Sequence, residues 1–446
     1  MATKDKAQKK AKLRHAEYYD FQGIQDKLYA DSQKGKEFKH LVEIIALPEN
    51  IRLAYRNIKA NHGSKTAGTD GRTIKDLERL PDEKLVALVQ RKLDWYQPQS
   101  VRRVEIPKGN DPAKVRPLGI PTILDRLIQQ CVLQILEPIC EAKFHEHSYG
   151  FRPNRCQEHA IALVYKNIQV SHCYFVVDID IKGFFDNVSH GKLLKQMWTL
   201  GIRDKKLLSI VSAMLKAEVA EIGFPEKGTP QGGIISPLLS NIVLNELDWW
   251  VASQWEEFPT RKKYATGTNY NGSENKGNKY KMLRDYTTLK EVTCVRYADD
   301  FKLFTKNYQQ AKKLFYAVQD WLKGRLGLDI SPEKSKIVNL RKQYSEFLGL
   351  RIKASRFPIA YLFHQMSRNP FFLQQPEHMI GHPVVNHTFS HNGAFFFAIE
   401  SGCVILIINN QYIRIFCFKY FFCLSFIEQL QFFHSLHLMP FFLCLS

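Results

Sequence analysis

Cys294-Val295-Arg296-Tyr297-Ala298-Asp299-Asp300-Phe301-Lys302-Leu303-Phe304 sets apolar and β-branched residues on both sides of a short polar step. That pattern predicts a β-hairpin turning near Ala298-Asp299-Asp300. Two neighbouring carboxylates at such a turn repel each other, and a bound cation relieves the repulsion most simply. An isolated Asp-Asp is usually a solvated acidic turn, so the reading depends on a partner. Phe175-Val176-Val177-Asp178-Ile179-Asp180-Ile181 supplies one. Side chains of a strand alternate faces, which puts Phe175, Val177, Ile179 and Ile181 on one side and Asp178 and Asp180 on the other. Charges on a core strand are costly unless paired or bound to metal. A carboxylate here and one at the hairpin can clamp two Mg²⁺ ions about 3.5–4 Å apart.

Three blocks in order carry a family resemblance. They are Asp180-Ile181-Lys182-Gly183-Phe184-Phe185-Asp186, then Gly228-Thr229-Pro230-Gln231-Gly232-Gly233-Ile234-Ile235-Ser236-Pro237, then Tyr297-Ala298-Asp299-Asp300. They resemble motifs A, B and C of reverse transcriptases, and the middle block resembles that of group II intron-encoded proteins. The resemblance covers roughly residues 40–352. It implies an α+β fold, the fingers and palm of a right-hand polymerase with a ferredoxin-like palm. It also implies an RNA-directed DNA polymerase acting in intron mobility and splicing. Its partners would be an intron RNA template, a DNA primer and deoxynucleoside triphosphates.

The same resemblance assigns residues. Asp180, Asp299 and Asp300 are the catalytic and metal-binding carboxylates for two Mg²⁺ ions, with Asp300 accessory and Asp178 structural. Lys108 and Arg116 are the nucleotide-phosphate ligands. Phe185 packs under the sugar of the incoming nucleotide, where its ring would clash with a 2′-hydroxyl. Gln231 and Lys334 (in Ser331-Pro332-Glu333-Lys334) lie near the nucleotide, and Phe347-Leu348-Gly349-Leu350 is a strand-turn at the primer end.

The residues themselves say part of this. Val101–Lys108 and Lys114–Pro121 read as two strands joined by a basic loop that can fold over a triphosphate; a solvated basic hairpin is the plain alternative. Ser148-Tyr149-Gly150-Phe151-Arg152-Pro153-Asn154-Arg155 sets Arg152 and Arg155 beside aromatics, a surface suited to phosphate contact and base stacking on RNA. Thr122 to Lys143 reads as a core helix entered by a Thr122–Asp125 capping pair. Helices are expected at about 190–199 and 204–220. Three glycines and a proline make 228–233 a loop, after which Ser236 as N-cap and Pro237 open a helix. A further helix bearing Ala311, Leu314, Phe315, Val318 and Leu322 should stop at Gly327. Residues 253–290 form a polar excursion, expected to be mobile, with eight basic residues against two acidic ones from 261 to 290.

The 446 residues carry a net charge of +19, which favours a polyanionic partner. The nine cysteines include no C-x-x-C pair, so neither zinc nor a disulfide framework is expected, and a reducing compartment fits. The N-terminus lacks the apolar stretch of a secretory signal. The expected location is the cytoplasm of a bacterium, or an organelle, without stable membrane association.

Four regions follow: a basic extension over 1–60, fingers over 61–170, a palm over 171–352, and an atypical tail over 353–446. Residues 357–446 hold three basic and three acidic residues, so the whole +19 lies in 1–356. The tail is Phe-rich, its apolar runs too broken for a membrane span. A helical thumb is expected near 355 and is missing or replaced by an unrelated sequence that packs poorly. A non-catalytic RNA-binding maturase, an inactive remnant and the retron, diversity-generating or CRISPR-linked relatives stay open.

Overall fold

The computed structural model describes residues 15–108, 111–269 and 274–354, except the side chains of Lys108, residues 111–114 and Arg116, and the backbone of four strands between 385 and 416. Its two units are Met1–Asn339 and Leu340–Ser446.

The first unit begins with α1 (His15–Tyr18), α2 (Gln22–Gln33), α3 (Leu41–Ile45) and α4 (Pro48–Lys59). Pro48 stands in the first turn of α4, where a missing N–H costs no hydrogen bond. Then come α5 (Ile74–Glu78), α6 (Asp82–Asp94) and the antiparallel hairpin β1 (Arg102–Lys108) and β2 (Asp111–Ile120). The core helix is α7 (Ile123–Glu141), against which α2 and α4 pack. Its polar residues have partners: Gln134 Nε2 donates to Asn50 Oδ1 at 2.7 Å, and Asn50 Nδ2 donates to the Cys131 carbonyl at 3.2 Å. From residue 15 onward the expected N-terminal extension is therefore part of this core. The capping pair forms with a different pattern: Thr122 Oγ1 accepts the Asp125 N–H at 3.3 Å and donates to Asp125 Oδ2 at 2.7 Å.

Next are α8 (Gln157–Gln169), β3 (Phe175–Ile179), α9 (Phe184–Asn187), α10 (His190–Thr199), α11 (Lys205–Leu215) and α12 (Ser236–Gln254). Helix α11 stops five residues before the expected end, because Glu218 and Ala220 leave it to bond with the backbone of Val101. Ile235, not Ser236, caps α12, which puts Pro237 at the second helical position. The Ser236 hydroxyl is used elsewhere, donating to the Pro230 carbonyl at 2.7 Å and closing the glycine-rich loop.

The excursion after α12 contains α13 (Gly277–Tyr286), held by buried Leu283, by stacking of Tyr280 on Trp255 and by Lys276 between Glu146 and Glu257. This helix lies in the stretch expected to be mobile. The unit ends with β4 (Val292–Tyr297), β5 (Asp300–Thr305), α14 (Tyr308–Trp321) and β6 (Lys336–Asn339). One turn of π-helix extends α14, and Gly327 (φ +71°) stops it as expected. The sheet order is β4-β5-β3-β6, every neighbour antiparallel, with α8, α12 and α14 packed on it.

In the second unit β7 (Ser345–Phe347) and β8 (Leu350–Ile352) form a hairpin whose turn residues Leu348 and Gly349 have φ +52° and +77°. The pair of positive φ values matches the right-handed strand twist. Strands β9 (Val385–His391), β10 (Ala394–Ile399), β11 (Cys403–Ile408) and β12 (Gln411–Phe416) pair in order as an antiparallel meander. These strands lie in the Phe-rich tail. Its Val, Ile and Phe runs are separated by Asn392-Gly393, Ser401-Gly402 and Asn409-Asn410, which are turn formers. The thumb expectation at 355–384 lies outside the described residues.

Candidate active site

Strand register assembles the carboxylates. β3 and β5 pair Asp178 with Lys302 and Ile179 with Phe301; Asp180 follows β3 directly, and Asp300 is the first residue of β5. Asp299 sits in the two-residue turn between paired Tyr297 and Asp300. Asp178 is buried and receives a hydrogen bond from Lys302 Nζ at 2.7 Å, so it is neutralised, in keeping with a structural role. Asp180 is half exposed, and its Oδ2 lies 3.3 Å from Lys334 Nζ. The loop carrying Lys334 is bonded to the same residue: the Ser331 N–H donates to the Asp180 carbonyl at 2.8 Å and the Asp180 N–H to Ser335 Oγ at 3.2 Å.

Asp300 faces water on one side and is crowded by protein on the others. Desolvation raises its pKa to about 6, Lys302 opposes the rise, and the Asp178, Asp299 and Asp180 carboxylates add to it. Excess negative charge on an all-oxygen donor set fits a hard divalent cation such as Mg²⁺. Among the described residues, the three-ligand grouping within 4.8 Å is a different one, His145, His147 and Glu256.

The acidic turn is locked from behind. Ala298 has φ +58°, a left-handed conformation that favours glycine. Fully buried Arg296 donates to the Ala298 carbonyl at 2.7 Å, to Asn241 Oδ1 at 2.9 Å and to Asp248 Oδ2 at 2.6 Å. Asn241 in turn donates to the Gly150 carbonyl at 2.8 Å. A Cβ on Gly150 would lie 2.3 Å from the Ala298 nitrogen, so only glycine allows this approach. Sequence reasoning missed Arg296, Asp248, Asn241 and Gly150 as positioning residues. The available signal was charge inside apolar elements: an arginine in β4 and an aspartate in α12 each demand a buried partner.

The glycine-rich loop closes another wall. Gly228 (φ +97°) abuts the backbone of Phe185 and Asp186, and the Thr229 N–H donates to the Phe185 carbonyl at 2.7 Å. Phe184 is core, whereas Phe185 is partly exposed, its ring 5.3 Å from that of Phe184. The Gln231 carbonyl accepts the Gly119 N–H of β2, joining this loop to the β1–β2 hairpin. Lys108 and Arg116 fall on β1 and β2, and their side chains lie outside the described residues.

The expected RNA-contacting pair separates. Arg152 is buried, fork-bonded to Glu141 at 2.8 Å and donating to the carbonyls of His145 and Ser148 at 2.7 Å. With its donors committed inside, it is a loop anchor and not an RNA ligand. Arg155 is half exposed over the Tyr149 ring, near exposed Phe151, and keeps the interface reading.

Residues 106–352 match the family described as reverse transcriptase (RNA-dependent DNA polymerase). Protein YkfC of Escherichia coli is 34% identical over 348 residues, covering 74% of this chain and 87% of that protein. Group II intron-encoded protein LtrA of Lactococcus lactis is 32% identical, covering 75% of this chain and 60% of that protein. Nuclear intron maturase 2 of Arabidopsis thaliana is 27% identical, covering 34% of this chain and 26% of that protein. Among solved structures, telomerase from Candida albicans aligns at a TM-score of 0.37 and 14% identity, covering 61% of this chain and 48% of that one.

Proposed function

This chain belongs to the reverse transcriptase family, in its group II intron-encoded branch, and from that premise we propose that it is an RNA-directed DNA polymerase serving intron mobility and splicing. The carrying observation is that the β3–β5 register ends at Ile179 and Phe301, one residue short of Asp180 and Asp300, with Asp299 in the adjoining turn and the Asp178, Asp299 and Asp180 carboxylates all acting on Asp300. In this reading Asp180, Asp299 and Asp300 hold two Mg²⁺ ions. Bound there, the ions supply Lewis-acid chemistry at a primer 3′-hydroxyl and at the departing pyrophosphate.

The chain's own residues do the positioning. Arg296 and Gly150 hold the turn that presents Asp299. The ion pair of Lys334 with Asp180 is more than half exposed on the lysine side; such pairs are weak, which leaves the ammonium free to move to a triphosphate oxygen. Lys108 and Arg116 serve the same triphosphate from β1 and β2, and Gln231 and Phe185 line the nucleotide site. Phe185 excludes a 2′-hydroxyl, so the product is DNA. Arg155 and Phe151 contact template RNA. The fingers span 61–170 and the palm 171–352. No described helix is long and apolar enough to cross a membrane, and the cytoplasm or an organelle is the proposed location.

The test is primer extension on a primed RNA template, run beside filter binding of the same RNA. Asp299→Ala should abolish synthesis and leave RNA retention unchanged. Undiminished synthesis in that variant would remove the mechanism. Retention without synthesis in the parent chain would mark a splicing cofactor.

A further inference from the structure

His145, His147 and Glu256 each bring a ligand atom within 4.8 Å of the others, from segments more than a hundred residues apart. His145 and Glu256 are buried, and the His147 side chain is 14% exposed. His147 Nδ1 lies 3.2 Å from Glu256 Oε2, yet this buried nitrogen has no aligned hydrogen bond. Two such atoms facing one space without bonding each other are spaced as neighbouring ligands of one ion. Bonds of roughly 2.0–2.1 Å at a tetrahedral angle place adjacent ligand atoms about 3.3–3.4 Å apart.

The surroundings leave Glu256 to the histidines. Lys276 takes Glu146 at 2.9 Å and Glu257 at 3.0 Å, and Arg296 takes Asp248 at 2.6 Å, so these nearby carboxylates have cations of their own. Thr293 Oγ1 donates to the other oxygen of Glu256 at 3.4 Å, the kind of outer contact that orients a ligand. His145 Nδ1 accepts the His147 N–H at 3.2 Å, a long bond that an ion on the same lone pair would replace. Imidazole with one carboxylate suits zinc-class ions and not magnesium.

We propose that His145, His147 and Glu256 bind one zinc-class divalent ion that ties the 145–151 loop to the end of α12 and to β4. This site is separate from the aspartate cluster, and it lies where its effect can be felt. The His147 carbonyl accepts the Arg296 N–H at 3.0 Å, and the Tyr149 N–H donates to the Arg296 carbonyl at 2.9 Å. The ion therefore stiffens the strand that leads into the Ala298-Asp299 turn. Cysteine spacing carries no signal of this trio, because His145-Glu146-His147 meets its third residue only in the folded chain.

The test uses the full chain, stripped of metal and titrated with Zn²⁺ alone. One Zn²⁺ should be retained per chain and should raise the melting temperature. Glu256→Gln keeps the size of the side chain, and His147→Asn removes the orphaned nitrogen. Either should weaken binding beyond the roughly 10–100-fold typical of losing an outer contact and cancel the melting shift. With Co²⁺ as probe, visible ligand-field bands without thiolate charge-transfer bands are expected. No retained zinc, equal retention in parent and Glu256→Gln, or thiolate bands would each overturn the proposal. Should His147→Asn fail to fold, Glu256→Gln decides alone.

Discussion

At Asp300 the direction of the pKa shift fixes the sign of a stability effect. Desolvation, reinforced by the Asp178, Asp299 and Asp180 carboxylates, holds its proton to about pH 6 in the folded chain, against about 3.9 for an unperturbed aspartate. Between those values the folded state binds more protons than the unfolded one, so this group's contribution to stability falls as pH rises from about 4 to about 6. Without divalent ions, Asp300→Asn should therefore melt a few degrees above the parent at pH 7.5, and the gap should close near pH 4. A gap of equal size at both pH values would show that Asp300 is not held protonated by its surroundings.

At the scale of the element, the β4–β5 hairpin depends on contacts that local propensity does not encode. Its existence and turn position are legible in alternation and the polar step. That Ala298 takes φ +58° is not, because an isolated alanine avoids that conformation. It is imposed by the Arg296 guanidinium on the Ala298 carbonyl and by the close fit of Gly150. Gly150→Ala must push a backbone contact of 2.3 Å apart. Displacing catalytic groups by an ångström costs on the order of 10²-fold, so this variant should remain folded by circular dichroism yet lose about that factor in kcat. Arg296→Met should instead destabilise by roughly 3–5 kcal/mol in urea titration, since it strands the buried Asp248 carboxylate. A loss below about 1 kcal/mol would mean that the pair behaves like one at the surface.

Over the whole molecule, the net charge falls in the same part of the chain as the core of the described residues. The principal core cluster runs from Phe21 to Ile330, and all of the +19 lies in residues 1–356. RNA affinity that rests on phosphate contacts falls steeply with salt, with a slope proportional to the phosphates neutralised. A chain ending at residue 356 should then show the same salt slope in RNA filter binding as the full chain, because the electrically balanced tail releases no counterions. A shallower slope in the shorter chain would assign RNA contacts to the tail.

Composition, strand alternation and three motif blocks determined that this is a basic α+β polymerase-like chain, and they located its acidic turn and glycine-rich loop. Those features depend on residue type and short spacing, which are local. The tertiary structure alone decided which arginine faces inward: Arg152 and Arg155 are three residues apart, yet Arg152 is fork-bonded to Glu141 and to the His145 and Ser148 carbonyls, whereas Arg155 lies over the Tyr149 ring. It alone set Asn241 and Asp248 of α12 on Arg296 of β4, and His145 and His147 beside Glu256. Buried charge is tolerated only against a partner, and which partner it meets is settled by how distant segments pack.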